Sequence, residues 1–218
     1  MQPDQEYSIY DHWYDNKLIL KSPVKEYAMP NSVLIINCGS SSIKFALLLK
    51  DQNFRIHGLA ENLGTPNARI KGVTLGNEPV DIHIPNADHK EALEVGLSRL
   101  ANHKPDAIGH RIVHGGTLTQ AELITEDIID IIRDATPLAP LHNPAHLVGI
   151  EATRRLFPDL PQVAVFDTAF HQTLPKENYI YAVPYEWYEK YDVRKYGFHG
   201  TSHKYITEYM RNKLNRDD

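Results

Sequence analysis

The sequence has little of what marks several classes of protein. It contains one cysteine, Cys38, so an internal disulfide is excluded and a reducing compartment such as the cytoplasm is favoured. No apolar run approaches the roughly 20 residues of a membrane helix, so we expect no membrane partner. Positive charge is not in excess, because the net charge is -5. Since phosphate backbones bind basic surfaces, we expect no nucleic-acid partner either.

The first 31 of the 218 residues differ in character from the rest. Acidic side chains such as Asp4, Glu6 and Asp11 occur where a secretory signal would have an apolar core, so we do not expect this segment to be a signal peptide. We interpret residues 1–31 as an extension outside a domain that spans residues 32–218. The apolar fraction of 42% is enough for such a domain to bury a core.

Hydrophobic periodicity predicts several strands first, and then alternating helices and strands. The continuous apolar run Val33–Ile36 is typical of a buried strand. Further strands are predicted at 43–49, 54–59, 68–73, 80–84, 107–113 and 162–166, with a turn at Gly76-Asn77. Asp88 and Glu91 form a capping pattern that predicts one helix start, and Asn143 before Pro144 is predicted to cap another. Further helices are predicted to begin near Thr125 and Thr201. This order indicates an α/β fold with a mixed sheet that is antiparallel at one edge.

The first candidate site is the turn between the first two strands, Asn37-Cys38-Gly39-Ser40-Ser41-Ser42-Ile43-Lys44. Backbone N–H groups in such a turn can surround a phosphate, and the hydroxyls and Lys44 would add to its binding. The turn is not a Walker A loop, because it does not open a helix. An ordinary hairpin turn explains the same residues, since glycine and serine are common in turns.

The second candidate is Gly109-His110-Arg111-Ile112-Val113-His114-Gly115-Gly116, which leads from a strand into a glycine pair. The ends of such strands are where α/β sheets bind ligands. The guanidinium of Arg111 matches a carboxylate or a phosphate. A structural ion pair would explain Arg111 equally well.

Three further segments place polar groups where strands or helices begin or end. Asp167 follows an apolar strand, where a carboxylate can position a metal ion or act as a base, although a turn cap explains it too. His199 lies in a glycine-flanked loop, and both His199 and His203 can donate to a developing negative charge. The segment Leu138–Pro144 supplies an apolar wall and one imidazole, that of His142.

Five segments follow one another between Ser32 and about Asn212: VLIINCGSSSIKFALL, GHRIVHGG, PLAPLHNPAH, VAVFDTAFHQTLP and RKYGFHGTSHKYI. Together they resemble the acetokinase family. The resemblance implies an actin-like, sugar-kinase-like fold of two ribonuclease-H-like domains, of which this chain would be the N-terminal one. It also implies reversible phosphoryl transfer from ATP to acetate, giving acetyl phosphate and ADP, with Mg²⁺ or Mn²⁺ and in a homodimer. Propionate or butyrate is the alternative acceptor.

The resemblance also implies roles for individual residues. Arg111 would hold the acetate carboxylate and the transferred phosphoryl group, and Asp167 would position the substrate or the metal ion. His199 would stabilise the in-line transition state, with His142 nearby. The residues beside the nucleotide phosphates would be Asn37, Ser40, Ser42 and Lys44, with Asn37 also near the metal. The walls of the methyl pocket would be Val113, Leu141 and Phe198.

The chain departs from the family in length, because family members are roughly twice as long. Their second half carries the adenosine-binding glycines and a second catalytic arginine. The alternative reading is therefore an N-terminal fragment that is catalytically silent until a C-terminal half completes it. We also predict that the last helix exposes an apolar stripe where that half would pack.

Overall fold

A computed structural model describes residues 30–50, 52–73, 78–98 and 104–216, with backbone only at 52–55. The predicted turn at Gly76-Asn77 and residues 1–29 of the predicted extension lie outside these ranges. The strands are β1 Ser32–Cys38, β2 Ile43–Leu49, β3 Gln52–Glu61, β4 Arg69–Val73, β5 Pro79–His83, β6 Ala107–Ile112, β7 Glu122–Leu123 and β8 Gln162–Phe166. The α-helices are α1 His89–Ser98, α2 Glu126–Asp134, α3 Asn143–Leu156, α4 Lys176–Tyr179, α5 Tyr185–Tyr191 and α6 Gly200–Leu214.

The eight strands form one mixed sheet in the order β5-β4-β3-β2-β1-β6-β8-β7. Strands β1 to β5 pair antiparallel with one another in sequence order, whereas β1, β6 and β8 run parallel to one another. The predicted α/β fold with an antiparallel edge is therefore confirmed. The short strand β7 adds an antiparallel neighbour to β8 at the other edge.

Helices α1 and α3 pack against one face of the central sheet. Along β1, β2, β6 and β8, buried residues alternate with partly exposed ones, as the two-residue period of a strand requires. Leu34, Ile36 and Ile108 belong to the buried set and join the main core. We call the other side the open face, and in these four strands it consists of Val33, Ile35, Asn37, Lys44, Ala46, Leu48, Ala107, Gly109, Arg111, Val163 and Val165.

The capping pattern predicted at Asp88 and the helix start predicted near Thr125 are both confirmed. The Glu91 N–H donates to Asp88 Oδ1 at 2.8 Å, and the Asp88 N–H donates to Glu91 Oε2 at 2.9 Å, which is a reciprocal capping box. Thr125 Oγ1 accepts the N–H of Ile128 at 3.4 Å at the start of α2. No helix in the described ranges is long and apolar enough to cross a membrane.

The predicted cap at Asn143 is wrong. The helix begins at Asn143 itself, and the cap position before it belongs to His142. The Asn143 side chain is fully buried and accepts the N–H of His114 at 3.2 Å. It also donates to the carbonyls of His114 at 3.0 Å and Ile132 at 2.9 Å. Asn143 therefore joins the loop after β6 to the start of α3.

A buried polar network links β6, β8 and α3. His110 Nε2 donates to Gln162 Oε1 at 2.9 Å, and Thr153 Oγ1 donates to the same oxygen at 2.8 Å. Burial lowers the pKa of His110 from 6.5 to about 4. The imidazole of His110 is therefore neutral at pH 7, and protonating it inside the fold is unfavourable.

We expect the fold to lose stability as the pH falls from 7 to 4. The unfolded chain takes up a proton at His110 near pH 6.5, whereas the folded chain takes it up only near pH 4, so acid favours unfolding. One pKa unit corresponds to about 1.4 kcal/mol, so the loss at His110 reaches roughly 3 kcal/mol by pH 4. Urea unfolding should show a weaker pH dependence for His110→Gln, whereas His83→Gln, at an exposed position, should behave as the wild type. Equal pH dependence in all three proteins would contradict this account.

Helix α6 exposes the apolar stripe that the sequence predicts. Its exposed side chains, from 39% to 55% accessible, are Tyr205, Ile206, Tyr209, Met210 and Leu214. Contiguous exposed apolar surface of this kind is typical of an interface or of a protein that aggregates.

We expect the chain to self-associate at micromolar concentration through this stripe. Ile206→Glu combined with Met210→Glu should shift sedimentation towards the monomer, because both changes put charge into the apolar surface. Val148→Glu, on an exposed position of α3, is the matched control and should leave association unchanged. A monodisperse wild-type monomer would show that the stripe does not drive association.

Candidate active site

Parallel strands bring their carboxyl ends to one edge of the sheet, and three of the predicted site residues lie at that edge. Asn37 is next to the last residue of β1, Arg111 is next to the last residue of β6, and Asp167 directly follows β8. Asn37 and Arg111 both lie on the open face. The site is therefore built where the chain leaves its parallel strands, as is usual in open α/β sheets.

Arg111 and Asp167 form a two-pronged ion pair. Arg111 Nε donates to Asp167 Oδ1 at 3.1 Å, and Nη2 donates to Asp167 Oδ2 at 2.7 Å. The Asp167 side chain is only 5% exposed, whereas that of Arg111 is 35% exposed. Arg111 Nη1 also donates to Asn37 Oδ1, at the longer distance of 3.4 Å. The carboxylate thus fixes the guanidinium plane while part of the guanidinium faces solvent.

His199 completes this cluster from the other end of the chain. Its Nδ1 lies 3.2 Å from Arg111 Nη2 and 3.5 Å from Asp167 Oδ2, and its side chain is 69% exposed. The backbone of His199 is left-handed, with φ of 54°, at the position before α6. The Gly200 N–H donates to the Asp167 carbonyl at 2.9 Å, which holds the loop at the end of β8.

The structure therefore brings Asn37, Arg111, Asp167 and His199 together. Two histidines without an assigned role from the sequence help to hold this arrangement. His171 Nε2 donates to the Phe198 carbonyl at 2.9 Å, next to His199. His114 Nδ1 accepts the Gly116 N–H at 3.0 Å, and its buried ring packs edge-on to Tyr196 at 4.5 Å. One sequence signal could have pointed to His171 as a residue of the site. It lies four residues after Asp167, in the same motif.

The serine-rich turn lies beside the cluster. Lys44 is exposed and pairs in register with Asn37 across β1 and β2, so both residues face the same side. Ser40 is exposed and Ser42 is half-buried. The Gly39 N–H donates to the Ser42 carbonyl at 2.7 Å, so this backbone donor is used within the turn. Phosphate binding by these residues stays a prediction that depends mainly on the hydroxyls and Lys44.

The three residues predicted to wall a methyl pocket lie in different environments. Val113 is buried at 6% exposure, whereas Leu141 is 76% and Phe198 is 39% exposed. The Phe198 ring packs edge-on to His114 at 6.1 Å, and His142 is exposed at the start of α3. A pocket with Leu141 as a wall would therefore be open to solvent in this chain, and its role stays a prediction.

The residues assigned to a divalent metal do not by themselves form a metal site here. Both Asp167 oxygens and the Asn37 oxygen accept hydrogen bonds from the Arg111 guanidinium, which would repel a cation. In the described ranges, no group of three or more His, Cys, Asp or Glu side chains is arranged to hold a metal ion. Since Mg²⁺ is commonly bound through substrate phosphates and water, its assignment to Asn37 and Asp167 stays a prediction.

Comparison with known proteins decides the family. The family model described as "Acetokinase family" matches residues 32–218. The chain belongs to the acetokinase family. An acetate kinase from Pseudomonas aeruginosa is 52% identical over 185 residues, which are 82% of this chain and 47% of that relative. An acetate kinase from Thermoanaerobacterium thermosaccharolyticum is 47% identical over 195 residues, which are 84% of this chain and 48% of the relative.

Solved acetokinase structures resemble this chain over the same extent. A propionate kinase from Francisella tularensis matches with a TM-score of 0.82 at 43% identity, and an acetate kinase from Porphyromonas gingivalis with 0.78 at 41%. Each match covers 86% of this chain and 50% of the solved chain. The chain thus spans about half the length of the acetokinases it matches, and the resemblance inferred from the five motifs is confirmed.

Proposed function

We propose that this chain supplies the N-terminal half of an acetate kinase active site and transfers a phosphoryl group between ATP and acetate once a C-terminal half is present. The observation that supports this most is the Arg111 guanidinium. It is fixed by the buried Asp167 on one side and meets His199 and Asn37 on the other. Such a group can hold a carboxylate or a phosphoryl oxygen in a defined orientation.

The arrangement suits a reaction that depends on positioning and charge stabilisation, as phosphoryl transfer does. The contacts of Arg111 with Asn37 and His199, at 3.4 Å and 3.2 Å, are longer than its 2.7 Å contact with Asp167. An incoming oxyanion would therefore replace these two contacts and leave the pair with Asp167 intact. The exposed imidazole of His199 would then donate to the negative charge that develops during transfer.

The remaining partners follow from the family and are part of the proposal. ATP and ADP would bind with their phosphates near Ser40, Ser42 and Lys44, and a divalent metal, Mg²⁺ or Mn²⁺, would be held mainly by those phosphates. The roles proposed for Arg111, Asp167 and His199 do not depend on that metal. A homodimer and a cytoplasmic location complete the proposal.

The test is a fusion of residues 30–216 with the C-terminal half of the Pseudomonas aeruginosa acetate kinase. We expect acetyl phosphate to form from ATP and acetate, and Asp167→Asn to lower kcat strongly, because Arg111 loses its charged anchor. Asp159→Asn, at an exposed position, is the matched control and should leave kcat unchanged. A folded fusion that transfers phosphate to no short carboxylic acid would contradict the proposal.

The acceptor is expected to be acetate rather than propionate. The side chains assigned to the methyl pocket, Val113, Leu141 and Phe198, are all apolar. One methylene is worth only about 1–3 kcal/mol in an apolar pocket. We therefore expect kcat/KM of the fusion to favour acetate by about 10-fold or more. A higher kcat/KM for propionate would reassign the chain to propionate kinase.

A further inference from the structure

The serine-rich turn, Asn37–Lys44, is held by two other loops of this chain. The Leu63 N–H, in the loop after β3, donates to the Ser41 carbonyl at 3.0 Å. At the first residue of α1, His89 Nε2 donates to the Gly39 carbonyl at 2.7 Å. The bond from His89 spans 50 positions of the sequence, so it is not part of the local geometry of the turn. The shape of the turn therefore depends on contacts that reach it from outside.

The two loops that hold the turn are also bonded to each other. The Gly64 N–H donates to the Ala87 carbonyl at 2.8 Å, and the Asn86 N–H donates to the Thr65 carbonyl at 2.8 Å. Gly64 and Asn86 have left-handed backbones, with φ of 75° and 62°. Glycine and asparagine adopt this conformation more readily than other residues, so the sequence itself favours these loop shapes. His89 is thus attached to a well-defined part of the backbone.

The turn has little else to order it, because its polar residues face water. Ser40, Ser41 and Lys44 are exposed, whereas His89 is half-buried. A short exposed segment of this kind samples many conformations, and a ligand that needs one of them loses affinity through the cost of ordering it. Bonds that order the turn beforehand reduce this cost. Of the two bonds from outside the turn, that of His89 comes from a side chain, so a substitution can remove it.

We propose that His89 is a positioning residue that raises the affinity of the site for the phosphates of ATP by holding the serine-rich turn through the Gly39 carbonyl. The start of α1 does not need this imidazole, because the backbone and side chains of Asp88 and Glu91 already form the capping box. The imidazole is therefore available to hold the turn. The inference rests on the proposed function for the identity of the ligand, whereas the contact between His89 and the turn is independent of it.

Hydrogen exchange of the full chain tests the contact itself. His89→Leu keeps the bulk of the side chain and removes its donor, so we expect the Gly39 and Leu63 amides to exchange about 10-fold faster or more. His89→Gln should restore the wild-type rates, because its amide can donate to the same carbonyl. His83→Leu, at an exposed position of β5, is the matched control and should leave both rates unchanged. Wild-type exchange in His89→Leu would overturn the proposal.

Nucleotide binding by the fusion described above tests the consequence for the ligand. The probe is AMP-PNP, an ATP analogue with an uncleaved terminal phosphate, titrated by calorimetry in the presence of Mg²⁺. We expect His89→Leu to bind it about 10-fold more weakly or worse, and His89→Gln and His83→Leu to bind it as the wild type does. In the activity assay, His89→Leu should raise KM for ATP and leave KM for acetate unchanged. A mere loss of folded protein would lower kcat and leave both KM values unchanged.

The two measurements on the fusion separate this inference from the proposed function. An active fusion in which His89→Leu leaves AMP-PNP affinity and KM for ATP unchanged would refute the role of His89 and leave the function standing. A fusion that binds AMP-PNP in a way that depends on His89, yet transfers phosphate to no short carboxylic acid, would refute the function and leave the role of His89 standing. No binding of AMP-PNP by the wild-type fusion would overturn both, and failure of His89→Gln to restore binding would overturn the role of the hydrogen bond.

Discussion

Arg111→Lys is expected to lower kcat of the fusion by about 10²–10³-fold, the range found when an active site loses one donor to a developing charge. Lysine keeps the positive charge but cannot make the paired bonds to Asp167 and still reach Asn37 and His199. A steady-state assay of acetyl phosphate formation measures the change. The melting temperature should stay within a few degrees of the wild type, because Arg111 is partly exposed.

Arg133→Lys is the control for this prediction. Arg133 pairs with Asp130 on the exposed side of α2, so its replacement should leave both kcat and the melting temperature unchanged. A near-wild-type kcat for Arg111→Lys would mean that Arg111 serves a structural ion pair only. A loss of both activity and fold would point to the same structural role.

Without a C-terminal half, this chain is expected to form no acetyl phosphate above background. Its site is open to water, since the side chains of His199 and Leu141 are 69% and 76% exposed, and kinases of this kind need water excluded during transfer. Addition of the separately produced C-terminal half should raise the rate by more than 10³-fold, into the usual enzyme range of about 1–10³ per second. A coupled assay of ADP formation measures both rates.

The control for complementation is this chain carrying Arg111→Lys, mixed with the same C-terminal half. It should bind the half with wild-type affinity and give a rate at least 100-fold lower than the wild-type mixture. Turnover in the usual enzyme range by the chain alone would contradict the expectation and show a self-sufficient enzyme.

The elements nearest to the site follow from local sequence signals. The apolar run of β1, the capping box at Asp88 and the cap at Thr125 each depend on residues a few positions apart. The opposite directions of His110 and Arg111 follow from the two-residue period of a strand: His110 is buried beside Gln162, and Arg111 lies on the open face. Such signals depend on residues that are close in the sequence, and the folded chain keeps the local structure that they predict.

Other features of the structure could not be predicted from such local sequence signals. β7 is two residues long and exists because Glu122 and Leu123 pair with β8. Asn143 has the residue type of a cap, yet its amide is used by the loop after β6. The aromatic helix α5 follows Pro184, which was a usable start signal that the strand-and-helix prediction omitted.

The candidate site was predictable in part: its residue types could be read from the sequence, but their arrangement could not. Residue types alone indicated Arg111, Asp167 and His199 as candidates, but their proximity depends on the order of the parallel strands. Arg111 meets Asp167 across 56 positions and His199 across 88 positions of the sequence. Spacing along the chain carries no information on such distances, and the family resemblance supplied what periodicity could not.

The left-handed backbone at His199 determines which replacement can isolate the contribution of its ring. Alanine disfavours this conformation by about 1–2 kcal/mol, so His199→Ala would disturb the loop as well as remove the imidazole. Asparagine adopts left-handed geometry more readily. His199→Asn therefore removes the imidazole while preserving the turn into α6 and the bond from Gly200 to Asp167. A comparison of the asparagine and alanine variants divides the loss of activity between the chemistry of the ring and the shape of the loop.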